Sequence, residues 1–263
     1  MPGFWQTVSS AMLALFFLTQ CSAVESPPEQ ERPKPHIQLM TSLPLVWGDD
    51  ASMESILSGG SEPAPIYQYW QEQYDITAVD SLENLVPDDP DIVILAQPRA
   101  MDPADLTDLD SWVRSGGDAI ILTDPILVWP SELPLGDPRR PLAIGFLSPL
   151  LDHWGLELVR VEENSADIAN LRFGGYSFAT RGVGRLENLK SRRATDIACE
   201  TSTANFLVQC SIGKGQASIV ADADFLNSTF WTEKAKNSPK SSGAAQFVDG
   251  LVQDHIERAS GGK

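Results

Sequence analysis

Two uninterrupted apolar stretches, separated by one well-delimited helix, constrain the fold of this chain more than any other feature. Residues 91–96 read Asp-Ile-Val-Ile-Leu-Ala, and residues 119–122 read Ala-Ile-Ile-Leu. Continuous rather than alternating apolar character is typical of a strand that is covered on both faces. The segment between them begins at Asp102, which can cap a helix, and ends at Gly116. One face of that helix is apolar: Leu106, Leu109, Trp112 and Val113. Strand, helix and strand at this spacing predict a parallel βαβ unit with a right-handed crossover.

The rest of the chain extends this pattern to a single α/β domain. Further short apolar runs occur at residues 37–41 and 76–79, and the chain closes with an amphipathic helix. Beyond residue 171, glycine-marked turns separate several short strands. A chain of 263 residues is long enough to bury a core of this size. We therefore predict an α/β fold over residues 36–260, with a mostly parallel central sheet flanked by helices and a β-rich later portion.

The N-terminal residues read as an export segment followed by a tether. The apolar run at residues 11–18 is too short to cross a bilayer, which takes about 20 residues, and it is typical of a signal-peptide core. Residues 1–23 are therefore predicted to be a signal peptide or lipoprotein signal, although no Lys or Arg precedes the run. The alternative is a buried N-terminal helix. The proline-rich residues 24–35 predict an extended linker.

Cys21 is a candidate for lipidation. It ends a sequence that looks like a bacterial lipobox, in which Gln20 replaces the usual small residue. One acyl chain alone anchors a protein only weakly. We expect a periplasmic protein, anchored to the membrane through its N-terminus if Cys21 is lipidated.

The other two cysteines, Cys199 and Cys210, form a candidate disulfide. They flank a segment that can fold as a hairpin centred on residues 204–205. In that register the two side chains face each other at a distance that a disulfide can span. An oxidising compartment would permit the bond, whereas the alternative is two buried thiols in a reduced core.

Charge and missing motifs exclude several classes of function. The net charge of -17 repels phosphate backbones, so no nucleic-acid partner is expected. Gly213-Lys214-Gly215 lacks the spacing of a phosphate-binding loop, and no pair of the three histidines has metal-ligand spacing. We therefore expect neither a cofactor nor a metal.

The turn after residues 119–122 argues against hydrolase chemistry that relies on a nucleophile elbow. It reads Thr123-Asp124-Pro125, so no serine or cysteine stands where the nucleophile would be. Proline also forbids the backbone geometry that such an elbow requires. Catalysis of this type is therefore not expected.

Polar residues follow several of the predicted parallel strands. Because ligands of open α/β sheets bind at the carboxyl ends of the strands, these residues are candidates for one polar pocket that takes a carbohydrate or a cation. Helix capping and loop hydrogen bonding are the alternative role, since Asp is favoured at such turns. The candidate ligand-binding residues are Asp49, Asp50, Gln97, Arg99, Thr123, Asp124, Asp222 and Asp224.

Residues 91–125 and 213–227 together resemble a known family. They look like the auxiliary component of gliding-motility-type ABC transport systems, whose domain is similar in fold to class I glutamine amidotransferases but lacks their catalytic residues. The resemblance implies a non-catalytic, exported accessory of a transporter, with the ABC permease and ATPase system as partner. It carries over no binding residue. Many relatives carry a C-terminal transmembrane helix, and we expect this chain to depart from them in having none after Lys263.

A hydrolase acting on glycans or peptides is the alternative function. A pair drawn from Asp124, Asp222 and Asp224 would then serve as acid and base. Such pairs work when the surroundings keep one carboxyl protonated. A tight pair in a deep cleft would favour this enzyme, and carboxyls scattered over separate turns would favour the accessory.

Overall fold

A seven-stranded sheet forms the centre of the computed structural model. Its strands, in spatial order, are β2 (Asp75–Ala78), β1 (His36–Thr41), β3 (Ile92–Ala96), β4 (Asp118–Leu122), β11 (Gly215–Val220), β10 (Leu207–Ile212) and β9 (Ile197–Thr201). The first five run parallel to one another, and β10 pairs antiparallel with both β11 and β9, so β9 runs in the same direction as the first five. The predicted α/β class with a mostly parallel central sheet is thereby confirmed.

The structure describes Met1 and residues 33–49, 51–83, 85–87, 89–161, 167–189, 195–202 and 205–261, the last two of these without their side chains. Residues Lys34–Lys263 form one compact unit. Cys21, nearly all of the predicted signal segment and most of the predicted linker lie outside the described residues, as does Asp50. Among the helices that are described, none is both long and apolar enough to cross a bilayer.

Helices cover both faces of the sheet. One face packs against α2 (Pro65–Gln73) and α6 (Gly243–Gly261), and the other packs against α3 (Pro103–Ser115) and α4 (Ser148–His153). Strands β3 and β4 are buried along their whole length, which explains their uninterrupted apolar sequence. The short helices α1 (Met53–Ser58) and α5 (Glu233–Asn237) lie in loops.

The unit β3–α3–β4 has the predicted parallel register, with Ile94 opposite Ile120. The predicted capping by Asp102 is wrong in one respect. Asp102 occupies the N-cap position, but its side chain accepts no hydrogen bond from the helix. The start of the helix is set instead by Pro103, whose fixed φ suits the first helical position.

The later part of the chain adds two small sheets, which confirms the predicted β-rich portion. Strands β6 (Ala169–Phe173) and β7 (Tyr176–Thr180) form one hairpin. Strands β5 (Leu156–Arg160) and β8 (Gly184–Asn188) pair separately. In the β9–β10 pair Cys199 lies opposite Cys210, their Cα atoms are 4.0 Å apart, and a disulfide joins them.

Candidate functional site

The carboxyl edge of the parallel strands holds most of the polar residues that the sequence singles out. Five of them come together there and are completely buried: Gln97, Thr123, Asp124, Asp222 and Asp224. Each follows β3, β4 or β11, because the carboxyl ends of these parallel neighbours meet at one edge of the sheet.

Gln97 ties the end of β3 to the turn after β4. Its Oε1 accepts a hydrogen bond from the backbone N–H of Asp124 at 2.8 Å, and its Nε2 donates to the carbonyl of Leu142 at 3.1 Å. The residue has a φ of 45°, a conformation that is uncommon outside glycine and persists when surrounding contacts hold it. The Gln97 side chain therefore holds the backbone at Asp124 and at Leu142 in place.

The three buried aspartates hold backbone and side-chain donors of the loops around them. Asp124 Oδ1 accepts from the N–H of Ile126 at 2.7 Å, and Asp224 Oδ2 accepts from the N–H of Val128 at 2.7 Å. Asp222 Oδ1 accepts from the Thr180 hydroxyl at 2.9 Å and from the N–H of Asp224 at 2.8 Å. Within the described part of the protein, the second oxygen of each carboxyl has no hydrogen-bond partner. We refer to Asp124, Asp222 and Asp224 as the aspartate cluster.

Burial changes the acidity of the aspartate cluster. It raises the pKa of Asp124 to about 9, and the charges of Asp222 and Asp224 act in the same direction. The pKa of Asp224 rises to about 7, mainly through burial, although its Val128 hydrogen bond and Arg181 oppose the rise. Burial also raises the pKa of Asp222 well above its ordinary value. The aspartate cluster therefore favours the protonated form of its carboxyls, as expected where carboxylates are crowded away from water.

Two loops pack closely over the aspartate cluster, and a glycine permits the close approach in each. A Cβ at Gly182 would lie 2.5 Å from the carbonyl oxygen of Ile126 and 3.5 Å from carboxyl oxygens of Asp124 and Asp224. A Cβ at Gly145 would lie 2.3 Å from the hydroxyl oxygen of Thr123. The turn between β7 and β8 and the loop at residues 126–145 thus seal the carboxyls from solvent. Over the described residues, no group of three or more His, Cys, Asp or Glu side chains is placed to hold a metal ion.

The remaining candidates lie elsewhere on the same edge. Asp49 accepts a hydrogen bond from the indole N–H of Trp129 at 2.7 Å and lines a surface groove. Arg99 donates to the carbonyl of Pro138 and lines a cavity of about 300 Å³ beside the start of α3. The predicted single pocket is therefore wrong for the described residues, since five candidates are sealed and these two face different openings.

An open groove lies beside Asp49 at this edge. It encloses about 660 Å³ between the loop after β1, helix α2 and helix α5, with Trp47, Glu62 and Tyr69 among its lining residues. A neighbouring cavity of about 520 Å³ continues past Asp49 along residues 130–133. This groove is the accessible site at the position where open α/β sheets bind ligands.

A buried chain of hydrogen bonds that sequence reasoning missed lies in and beneath the sheet. His255 on α6 places Nε2 2.9 Å from Ser218 Oγ and Nδ1 2.9 Å from Asp118 Oδ1. These residue types carry out nucleophilic catalysis in many enzymes, but there the serine faces substrate. Here Ser218 and His255 are each 1% exposed, and a nearby cavity of about 450 Å³ is lined by Asp118 alone of the three. The separation of 137 residues between Asp118 and His255 left no local sequence signal.

The first half of the domain matches the model of a known protein family. Residues 34–172, just over half of the chain, match the model of a family of auxiliary proteins described as an ABC-type uncharacterized transport system. The chain belongs to this family. Members of this ABC transport auxiliary family are described as parts of an ABC-type transport system. The matched region includes β1 to β4 and the long loop, and it ends before Asp222 and α6.

Solved structures offer only distant likenesses to this family member. An exo-beta-1,4-mannosidase from Opitutaceae bacterium strain TAV5 is 13% identical over 82% of this chain, with a TM-score of 0.47, and the chain spans 36% of its length. The mmIFT52 N-terminal domain is 13% identical over 84% of this chain and 97% of its own, with a TM-score of 0.47. The cytoplasmic protein STM3548 from Salmonella typhimurium is 10% identical over 83% of this chain and 97% of its own, with a TM-score of 0.45. Comparison with curated proteins gives no match.

Proposed function

We propose that this chain is an exported, non-catalytic subunit that accompanies an ABC-type transporter in the periplasm. The family supports the transporter association. The complete burial of the aspartate cluster is the observation that carries the non-catalytic part of the proposal, because an acid or base must reach its substrate.

The end of β4 also lacks the parts of a hydrolase. The backbone N–H of Asp124 is engaged by Gln97, its carboxyl binds the N–H of Ile126, and Pro125 follows. No serine or cysteine occupies this turn. The aspartates that a glycan or peptide hydrolase would use bind loop backbone instead, which supports a structural role for them. A carbohydrate ligand is not part of the proposal, since most of the residues predicted to bind one are sealed.

Export rests on the signal-like residues 1–23 and on the disulfide. A bond between Cys199 and Cys210 suits an oxidising compartment such as the periplasm. Lipidation of Cys21 would keep the protein near the membrane, although one acyl chain needs help from a protein partner. The likeness to class I glutamine amidotransferases stays a prediction.

Copurification from the native membrane tests the proposal. The full chain carries an affinity tag after Lys263, membranes are solubilised in mild detergent, and the captured proteins are identified by mass spectrometry. We expect enrichment of an ABC permease and ATPase over a tagged, unrelated periplasmic protein. Recovery of no transporter subunit, while a known complex survives the same detergent, would overturn the proposal.

Cell fractionation tests the export step separately. Release of the wild-type chain by osmotic shock would support export. Recovery of the wild type in the membrane fraction, with loss of that recovery for Cys21→Ser, would support export with a lipid anchor. A full-length chain that stays in the cytosolic fraction, with no shortening of its N-terminus, contradicts export.

A further inference from the structure

Helix α1 and the loop before it expose three large apolar side chains. Trp47 is 48% exposed, Met53 55% and Leu57 80%. Met53 and Leu57 are four residues apart on α1 and therefore lie on one face of the helix. Helix α1 has no buried residue. Ser55, on the opposite side of α1 from Met53 and Leu57, lines the groove beside Asp49, so Trp47 is the large exposed apolar surface of the groove itself.

The groove beside this surface is acidic. Glu62 and Glu72 line its larger part and Glu132 its continuation, and all three side chains are exposed. No ion pair involves any of them in the described part of the chain. Both cations among the lining residues are paired, since Lys236 lies 2.8 Å from Glu233 and Arg139 lies 2.8 Å from Asp137. The groove thus presents negative charge next to the Trp47 indole.

The walls of the groove are held in place by backbone contacts. Gly48 has a φ of 80°, and a Cβ there would lie 2.2 Å from the carbonyl oxygen of Glu62. The N–H of Ala64 donates to the carbonyl of Leu45 at 2.9 Å, which joins the same two segments. The Trp129 indole holds Asp49 on the opposite side. A groove fixed in this way needs little reorganisation to bind a partner.

We propose that this groove docks an extended segment of the membrane-embedded transporter subunit, one that carries Lys or Arg beside apolar side chains. The inference rests on the proposed function for the identity of the partner. Its cations would meet Glu62, Glu72 and Glu132, and its apolar side chains would cover Trp47. Cations also bind favourably over an exposed indole ring. Charge complementarity excludes anionic occupants and accelerates encounter with a basic segment.

Peptide binding to the full chain tests the chemistry of the groove. The probe is fluorescein-labelled (Lys-Pro-Leu)₃, its counterpart is (Glu-Pro-Leu)₃, and fluorescence anisotropy reports binding. We expect the lysine peptide alone to bind. The groove triple variant Glu62→Gln/Glu72→Gln/Glu132→Gln should weaken binding by about tenfold or more, and Trp47→Ala by severalfold, since each lost contact of about 1.4 kcal/mol is a factor of ten.

A matched triple variant removes the effect of net charge. Asp108→Asn/Glu157→Gln/Glu200→Gln also neutralises three exposed acids, but these lie on α3, β5 and β9 and do not line the groove. We expect it to bind the lysine peptide within about twofold of the wild type, as changes remote from a contact do. Equal weakening by both triple variants, or weakening by neither, would overturn the docking inference.

The same two variants in the copurification experiment separate the docking inference from the proposed function. Loss of the transporter subunits with the groove triple variant, and recovery with the matched one, supports both. If the groove variant still recovers the subunits as well as the wild type does, docking at this groove is wrong while the proposed function stands. Failure of the wild type itself counts against the proposed function, and the peptide experiment then decides the groove chemistry alone. Circular dichroism and thermal unfolding confirm that each variant is folded.

Discussion

Gly182 lies so close to Ile126 that a methyl group added to its α-carbon would come within 2.5 Å of the Ile126 carbonyl oxygen. The same turn passes over Asp124 and Asp224, and Gly182 has a φ of 62°. Glycine is needed here twice over, for its backbone conformation and for the space it leaves. The contact locks the turn after β7 onto the long loop and so keeps water from the aspartate cluster.

We expect Gly182→Ala to destabilise the protein by more than its backbone conformation alone requires. A left-handed alanine costs about 1 to 2 kcal/mol, and the clash with the Ile126 carbonyl adds about 1 to 3 kcal/mol. Gly59→Ala is the matched control, because Gly59 has a φ of 70° and nothing within 4 Å of the added methyl. Urea unfolding measures the loss in the free energy of unfolding for each of the two variants. Equal losses for the two variants would show that the contact with Ile126 is unimportant.

The aspartate cluster makes stability depend on pH. Burial raises the pKa of Asp124 from 3.8 to about 9 and that of Asp224 to about 7. A carboxyl with a raised pKa in the folded state stabilises the fold fully below its unfolded pKa, and this contribution is lost as pH rises through the folded pKa. The free energy of unfolding should therefore fall between about pH 4 and pH 9, by up to about 1.4 kcal/mol per pH unit for each group.

Asp124→Asn tests this dependence directly. An asparagine keeps an oxygen for the N–H of Ile126 but cannot ionise. The free energy of unfolding, measured in urea at pH 5, 6, 7 and 8, should fall less steeply with pH than it does for the wild type. The difference in slope should correspond to the titration of about one proton. Asp108→Asn, on the exposed side of α3, controls for the loss of one carboxyl from the surface. Identical slopes for Asp124→Asn and the wild type would mean that Asp124 takes no part.

Buried hydrogen bonds from His255 to Asp118 and to Ser218 join α6 to the central sheet. His255→Ala leaves a cavity and two polar groups without a partner, so we expect a loss of about 3 kcal/mol in the free energy of unfolding. Ser218→Ala removes one hydrogen bond and should cost about 1 kcal/mol. Because the residues touch, the double variant should lose less than the sum of the two, by about 0.5 kcal/mol or more. Strict additivity, measured by urea unfolding, would contradict this coupling.

The sequence predicts the central sheet well and the candidate site only in part. Continuous apolar runs identify β3 and β4 because both faces of each strand are covered, and hydrophobic burial is the main force that sets such patterns. The carboxyl-edge rule also brings Gln97, Asp124 and Asp222 together. It does not say whether the edge is open, since closure depends on a long loop whose path is set by contacts distant in sequence, such as that between Val128 and Asp224.

Two features of the site were beyond local sequence patterns. Helix α1 has only six residues, so the helical spacing of Met53, Ile56 and Leu57 is too short to be told from chance, and none of its residues is buried. Trp47 is half exposed, although tryptophan side chains are highly buried on average. Tertiary contacts decide its exposure, and residue type alone does not show it.

The disulfide between Cys199 and Cys210 joins β10 to the outermost strand of the central sheet, β9. Closing a loop of 11 residues removes chain entropy from the unfolded state, which stabilises the fold by about 3 kcal/mol. We expect dithiothreitol to lower the free energy of unfolding by about that amount and to speed amide hydrogen exchange in β9 first, since an edge strand has one paired neighbour. Cys199→Ala/Cys210→Ala is the control, because it should be as unstable as the reduced wild type and should not respond to the reductant. If the wild type shows equal stability with and without dithiothreitol, while mass spectrometry confirms reduction, the bond does not support this edge of the sheet.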